Sequence, residues 1–441
     1  MERKLNILFD FDIILQGFFK TESKTGIFWT EYRILDEFIK NHSDKFNFYA
    51  HCSCTEKFYN NTLIKAFPEF NLVKFVDIYA MNKLNVNKIN FSIKYFKYKC
   101  KHSNFFGKIF YKIYPLVYKL IKATLNKNVV VNCDLSFIDY YQSILGTTSI
   151  PEIINRQNFK KFAFIFDVLP VSNPEYFFNP KNYQASVNSF SNQIKSISKD
   201  TTIFLSSIYS KNEFLKYFPE YKDNNLAVIY LGVDKNRYFK INDDFNNKNI
   251  LTQYNIPKDK KYILSLCSLN KRKNLPFLVE SFVEFLDKNP QIQDLNLVLA
   301  GSKGWQVQEI FNSIENAKKY KNNIITTGFV EDNDINKIYN SAYAFVCPSL
   351  AEGFGLPVLE AMQCGIPVIS SNITSLPEVY GDSALSFNPY KKDELIKCLE
   401  EIYSNVDLRN QLISKGFKQV QKFSWEKTVN DMIDNYFKKA Y

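Results

Sequence analysis

Histidine is nearly absent: three residues in 441, at positions 42, 51 and 102. They match no ligand or catalytic pattern and read as structural or exposed. The eight cysteines, at 52, 54, 100, 133, 267, 347, 364 and 398, are scattered, and none forms a Cys-x-x-Cys pair. Several sit in strand-like apolar runs. That arrangement argues against a disulfide framework or a zinc site and for reduced core thiols. No run is long and apolar enough to span a bilayer. The opening Met1 to Leu15 is apolar after a basic flank, but Asp10 and Asp12 interrupt it, so it reads as a first β-strand and not a signal peptide. The expected location is therefore cytoplasmic. No internal repeat appears, and no low-complexity segment beyond an excess of Asn and Lys. Gly301-x-x-Gly304 is not a dinucleotide fingerprint.

Acidic residues are missing from one stretch. Ile78 to Cys133 contains no Asp or Glu but eleven lysines, in a chain of net charge +11. Within this segment (about 83–127), Phe105 to Leu125 reads as an amphipathic helix. Lys108, Lys112, Lys119 and Lys122 fall in one arc, opposite Ile109, Phe110, Ile113, Val117, Leu120 and Ile121. Pro115 marks a kink point. Three readings stay open: a solvated helix face, docking on an anionic membrane surface, or nucleic-acid binding. The last has no accompanying reading motif.

What is present is a folded composition, 46% hydrophobic and 23% charged, with 41 Phe and 28 Tyr. At this length two domains are expected. Polar Lys235 to Ile250 reads as the linker. The expected divisions are 1–245, 246–425 and a closing helix, 426–441. In the first part, Lys4 to Leu15, Asn47 to Cys52, Val129 to Cys133, Phe162 to Phe166 and Ile203 to Leu205 read as strands. A helix is expected from Gly26 to about Lys40.

The informative stretch is Ser349-Leu350-Ala351-Glu352-Gly353-Phe354-Gly355-Leu356-Pro357-Val358-Leu359-Glu360. Apolar Ala344 to Cys347 before it and Ile366 to Ser370 after it read as buried strands. Pro357 suits a first helical turn, where its missing N–H has no partner to lose. Strand, glycine loop, helix and strand form the unit that carries nucleotide phosphates in parallel sheets. The exposed N–H groups of a helix start favour an anion. Glu352 precedes the loop and Glu360 lies one turn into the helix, so both can address one ligand. Lys271-Arg272-Lys273-Asn274 forms a second basic turn between the Tyr262 to Leu266 strand and an apolar-periodic helix, well placed for a diphosphate. Each feature taken alone is also compatible with an ordinary solvated turn. Asp332 or Asn333 is the expected cap of a later helix.

Two glutamates with seven residues between them, around Gly-Phe-Gly-Leu-Pro, resemble the signature of the retaining glycosyltransferases of family 4, which have the GT-B fold. The likeness extends through Glu360-Ala361-Met362, Gly365-Ile366-Pro367-Val368 and Ser375-Leu376-Pro377-Glu378-Val379. It spans roughly Tyr262 to Trp425, and the N-terminal half matches only in patches.

The resemblance implies an α/β protein of two Rossmann-like parallel-sheet domains facing a deep cleft, with the last helix crossing back to the first domain. It implies transfer of a hexose from a nucleotide diphosphate sugar to a glycan or lipid-linked acceptor. Arg272, Lys273 and the Gly353, Phe354, Gly355 and Leu356 backbone would hold the diphosphate. Glu360 would bind the ribose, the backbone near Val330 the base, and Glu352 the sugar. Gly26 would lie in a loop facing the cleft.

Family members often carry His-Asp where this chain has Phe166-Asp167, which leaves Asp167 for the acceptor hydroxyl or for a turn. Many carry Arg where Ser268 stands. A subset keeping Arg-Lys-Asn includes bacterial polysaccharide mannosyltransferases, which favours GDP-mannose over a UDP-sugar. Asp10-Phe11-Asp12 and Asp332-Asn333-Asp334 imitate the metal-binding Asp-x-Asp of another glycosyltransferase fold. Lys and Arg can replace a metal's charge, so neither metal nor cofactor is expected. The competing expectations are a GT-B enzyme making a soluble glucan or disaccharide, and an inactive GT-B scaffold that binds membrane or nucleic acid. A location on the inner face of the cytoplasmic membrane would suit a lipid-linked acceptor.

Overall fold

A computed structural model describes residues 3–11, 14, 26–51, 59–75, 135–139, 159–242, 250–304 and 306–437. The segment 83–127, with Lys108, Lys112, Lys119 and Lys122, lies outside the described residues, as do Val129 to Cys133 and the centre of the linker.

The first sheet comprises β1 (Leu5–Asp10), β2 (Phe46–His51), β3 (Lys74–Phe75), β4 (Leu135–Asp139), β5 (Lys160–Ile165), β6 (Thr202–Leu205) and β7 (Leu226–Val228). Its order is β3-β2-β1-β4-β5-β6-β7, and every recorded pairing is parallel. The second comprises β8 (Lys261–Leu266), β9 (Leu295–Ala300), β10 (Ile324–Gly328), β11 (Ala344–Cys347), β12 (Val368–Ser371) and β13 (Ala384–Phe387). Its order is β10-β9-β8-β11-β12-β13, again parallel throughout. Both sheets reverse direction of growth beside their first strand. Ligands of such sheets lie at the carboxyl ends of the strands flanking that reversal. In the second sheet these are β8 and β11.

Local chemistry accounts for the elements. All six residues of β9 are buried, as a central parallel strand covered on both faces requires. Ser207 caps the Ile208–Tyr217 helix, its side chain accepting from the Ser210 N–H at 3.0 Å. Ser424 does the same for the Trp425–Met432 helix through the Lys427 N–H at 3.1 Å. Pro357 and Pro377 stand in the first turns of their helices. The helix expected from Gly26 runs to His42. Asp332 and Asn333 are not caps: Glu331 holds that position without a side-chain bond, and Asp332 is instead taken by Arg237.

The chain crosses between the sheets twice. Val233 N–H donates to Phe423 O at 3.4 Å, and Thr428 Oγ1 to Tyr230 O at 2.8 Å, so the two crossings are bonded to one another. The returning helix ends in the first domain. Phe437 is fully buried, stacked on Phe38 at 5.8 Å and packed on Phe162 at 4.5 Å. Phenylalanine abundance thus has a structural use: Phe9, Phe38, Phe46, Phe48, Phe162 and Phe204 build the core that receives this tail.

Truncating Phe437 to Ala removes the anchor and leaves a cavity. The expected loss is about 3–5 kcal/mol in denaturant unfolding. A loss below ~1 kcal/mol would show that the returning helix is not integral to the first domain.

Candidate functional site

The two loops at the reversal of the second sheet carry the charged residues. After β8 the chain makes the 3-10 turn Lys271–Lys273, then Asn274 adopts a left-handed conformation (φ 54°) that starts the Leu275–Lys288 helix. After β11 the chain runs through Glu352 to the Leu356–Gln363 helix, with Gly355 as its N-cap at φ 114°. Positive φ there is what glycine tolerates and other residues resist. Leu350 N–H donates to Arg272 O at 2.8 Å, so the two loops are bonded through their backbones.

Their side chains converge on one carboxylate. Arg272 Nη1 donates to Glu352 Oε2 at 2.7 Å and to Ala351 O at 2.7 Å. Lys273 Nζ donates to Glu352 Oε1 at 2.5 Å. Glu352 and Lys273 are both buried. Burial alone pushes the Glu352 carboxyl up, but the Arg272 and Lys273 charges outweigh it and hold the group at about 2. Glu352 is therefore ionised at any physiological pH.

The glycine loop is braced from both domains. Within the second, Ser375 Oγ donates to Glu352 O at 2.9 Å and to Phe354 O at 2.8 Å, and Glu352 N–H donates to Thr374 Oγ1 at 3.2 Å. From the first domain, Ser206, Ser207 and Ser210 donate their hydroxyls to Gly353 O at 2.9, 2.7 and 3.0 Å. Glu378 reaches the other way. Its carboxylate accepts from the Ile208 and Tyr209 N–H groups at 2.9 and 3.0 Å, at a helix start where a negative charge is favoured.

Asp167 comes from the loop after β5 and lies against Gly353. A Cβ placed on Gly353 would sit 2.5 Å from Asp167 Oδ2, so the approach depends on glycine. Asp167 Oδ1 accepts from the Leu169 N–H at 3.0 Å. The aspartate therefore closes a turn and also belongs to the cluster. Burial pushes its carboxyl up to about 6, opposed by Arg272 and the Leu169 N–H and reinforced by Glu352.

Glu360 occupies a second position, a helical turn from the loop. It accepts from Tyr339 Oη at 3.0 Å, and the Tyr238 phenol lies beside it. Burial raises its carboxyl, with Arg237 and the two phenols acting against that.

Among the residues singled out from sequence, Arg272, Lys273, Glu352, Gly353 and Asp167 come together in one cluster. Phe354 is buried against Tyr230 and Phe423. Val330 is buried after β10, and Gly26 begins its helix. Phe166 turns into the core and packs on Phe164 at 4.8 Å. Ser268 is exposed. The two Asp-x-Asp stretches diverge in their surroundings: Asp10 is buried at the end of β1, Asp332 pairs with Arg237, and Asp334 accepts from Tyr254 Oη at 2.8 Å. Sequence reasoning missed the bonds of Ser206, Ser207 and Ser210 to Gly353, the clamp by Glu378, and Tyr238 and Tyr339. The only available signal was the Ser-Ser-x-x-Ser helix start and the Leu-Pro-Glu run.

The two cluster carboxylates should show opposite pH behaviour in thermal unfolding. Asp167 has a folded value of about 6 against an ordinary 3.8, so its contribution is favourable below about pH 4 and is lost as pH rises through 6. Asp167→Asn should raise the melting temperature above pH 6 and leave it unchanged below pH 4. Glu352, lowered from 4.5 to about 2, contributes stability above pH 4.5 that is lost as pH falls toward 2. Glu352→Gln should therefore be destabilised near neutrality, with the deficit shrinking on acidification. Parallel curves for both variants would contradict the assigned environments.

Known proteins resemble the chain in sequence and in fold. Residues 246–419 match the family described as glycosyl transferases group 1. Escherichia coli serotype-specific mannosyltransferase WbdA is 29% identical over 66% of this chain and 34% of its own length. The chain thus spans about a third of that relative. Escherichia coli O-antigen chain mannosyltransferase B is 34% identical over 40% of this chain and 45% of its own. Among solved structures, Anabaena Alr3699/HepE, crystallised with UDP and glucose, superposes with a TM-score of 0.64 at 17% identity, covering 98% of this chain and 99% of that one. The fold is GT-B: two parallel-sheet domains with a returning C-terminal helix. The span matched by the glycosyl transferases group 1 family, residues 246–419, carries Arg272, Lys273, Glu352 and Glu360.

Proposed function

We propose that the chain is a retaining glycosyltransferase that moves a hexose from a nucleotide diphosphate sugar to a glycan or lipid-linked acceptor in polysaccharide synthesis. The observation that carries this reading is the Glu352 carboxylate held by Arg272 and Lys273 beside a glycine loop that opens a helix. Two cations against one carboxylate leave a net positive charge at a sheet reversal. Together with the helix start, that charge suits a diphosphate.

In this mechanism the bond from the sugar's anomeric carbon to the diphosphate oxygen breaks, and the diphosphate leaves with the electron pair. Arg272, Lys273 and the loop N–H groups of Gly353 to Leu356 stabilise the charge that grows on it. These cations take the electrostatic role of a metal, so turnover is metal-independent. Glu352, too acidic to donate a proton, acts as a fixed negative charge near the oxocarbenium-like centre. The acceptor oxygen bonds to that carbon, and its proton passes to the departing diphosphate. Asp167, at about 6, is suited to assist on the acceptor side. Glu360 binds the ribose, the backbone near Val330 the base, and Gly26 faces the cleft. Retention of configuration follows from the family 4 resemblance.

GDP-mannose is the favoured donor, supported by relatives named as mannosyltransferases. A UDP-sugar is the other candidate, since a solved GT-B neighbour holds UDP and glucose. No helix among the described residues is long and apolar enough to cross a membrane. Peripheral attachment through Lys108, Lys112, Lys119 and Lys122 is part of the proposal.

The test is hydrolysis of a panel of nucleotide sugars with EDTA present. Wild type should consume one donor, and Glu352→Ala and Lys273→Ala should each lose about 100-fold or more. Variants as active as wild type would remove the assigned roles. If no donor were consumed and no nucleotide bound by calorimetry, the transferase reading would fail. Turnover abolished by EDTA would overturn metal independence.

A further inference from the structure

Glu360 is supported more heavily than a half-buried helix residue requires. Tyr339 comes from the Asp332–Ser341 helix and donates to Glu360 Oε2 at 3.0 Å. Tyr238 comes from the segment just past the first crossing between domains and brings a second phenol beside the carboxylate. Tyr339 is fully buried, and Tyr238 is 7% exposed. Their rings meet edge to face at 6.0 Å, and Tyr339 also packs on Phe345 at 5.7 Å. Burial keeps both phenols protonated, so both remain donors.

The neighbouring cation is already engaged. Arg237 donates to Asp332 Oδ1 and lies 4.6 Å over the Trp29 ring. The carboxylate thus faces neutral hydroxyls fixed in a packed aromatic group, while Arg237 acts on it by charge without pairing to it. A carboxylate accepts about four hydrogen bonds, and the two phenols can occupy no more than two of those positions. The remaining positions suit the neighbouring hydroxyls of a vicinal diol.

We infer that Tyr238 and Tyr339 are positioning residues for a ribose site, holding Glu360 so that its carboxylate accepts both hydroxyls of the 2′,3′-diol of a nucleoside diphosphate. The inference rests on the assignment of Glu360 to ribose in the proposed function. The tyrosines do not touch the nucleotide; they act through the carboxylate.

The experiment is calorimetric titration of the full chain with GDP and UDP and with their 2′-deoxy counterparts. Wild type should prefer the ribonucleotide by about tenfold, the size of one lost hydrogen bond to a charged group. Glu360→Gln should erase that preference. Tyr339→Phe and Tyr238→Phe should each weaken the ribonucleotide by about 3- to 10-fold and leave the 2′-deoxy form nearly unchanged. Thermal melting of each variant is read alongside, because a purely structural role would lower both affinities together with the melting temperature. An unchanged ratio in both tyrosine variants, with the ratio lost in Glu360→Gln, would overturn the positioning role and leave the ribose assignment standing. Equal binding of both nucleotide forms by wild type, or no binding of either, would remove the ribose assignment and this inference together.

Discussion

The structure around the cleft depends on a buried carboxylate held between two cations. Taking Glu352 and Lys273 out of water is expensive, and close, hydrogen-bonded pairing is what offsets it. Arg272 adds a second bond and reaches the Ala351 carbonyl, so the same guanidinium binds a side chain and a backbone. Removing Glu352 would leave two cations side by side without a carboxylate between them. The cluster therefore ties the loop after β8 to the loop after β11 more firmly than either backbone would alone.

That tie explains where the rest of the molecule can stand. The loops meet only because the sheet reverses between β8 and β11, which places their carboxyl ends side by side. The glycine at 353 then allows Asp167 of the other domain to approach, and three serines bind its carbonyl. Glu378 answers with a carboxylate on the facing helix start. The contact between domains is thus polar, satisfied on both sides and centred on the loop that carries the charges. The phenylalanine core and the returning helix supply the apolar half of the same connection.

Much of the candidate site was legible before the structure. Glu352, Glu360, Gly353 and Gly355 share a short segment, and the Arg272-Lys273 turn sits at a strand end, so local pattern sufficed. Strand and helix positions in the second domain followed from apolar runs and Pro placement. The first domain was less legible: the described strand is Leu135–Asp139, while Val129 to Cys133 lies outside the described residues. Ser206, Ser207 and Ser210 stand at the start of a helix, and Ser207 caps it. Their second task, on a carbonyl more than 140 residues away, has no local signature. Tyr238 and Tyr339 are equally silent in sequence, since buried tyrosines are common in an aromatic-rich chain.

By itself the sequence determined the alternation of strand and helix, the charge of each loop and the residues capable of meeting an anion. These depend on neighbours within a few positions, through periodicity, capping and the conformational range of glycine and proline. Only the tertiary structure decided which charges neutralise one another and which carboxylate stays acidic. It alone also decided that Asp167 is pushed toward neutrality and that Glu360 is met by two buried phenols and the charge of Arg237. Those outcomes depend on burial and on distances between residues far apart in the chain. Electrostatic free energy inside a protein is set by such distances and by the exclusion of water, and neither is written in local order.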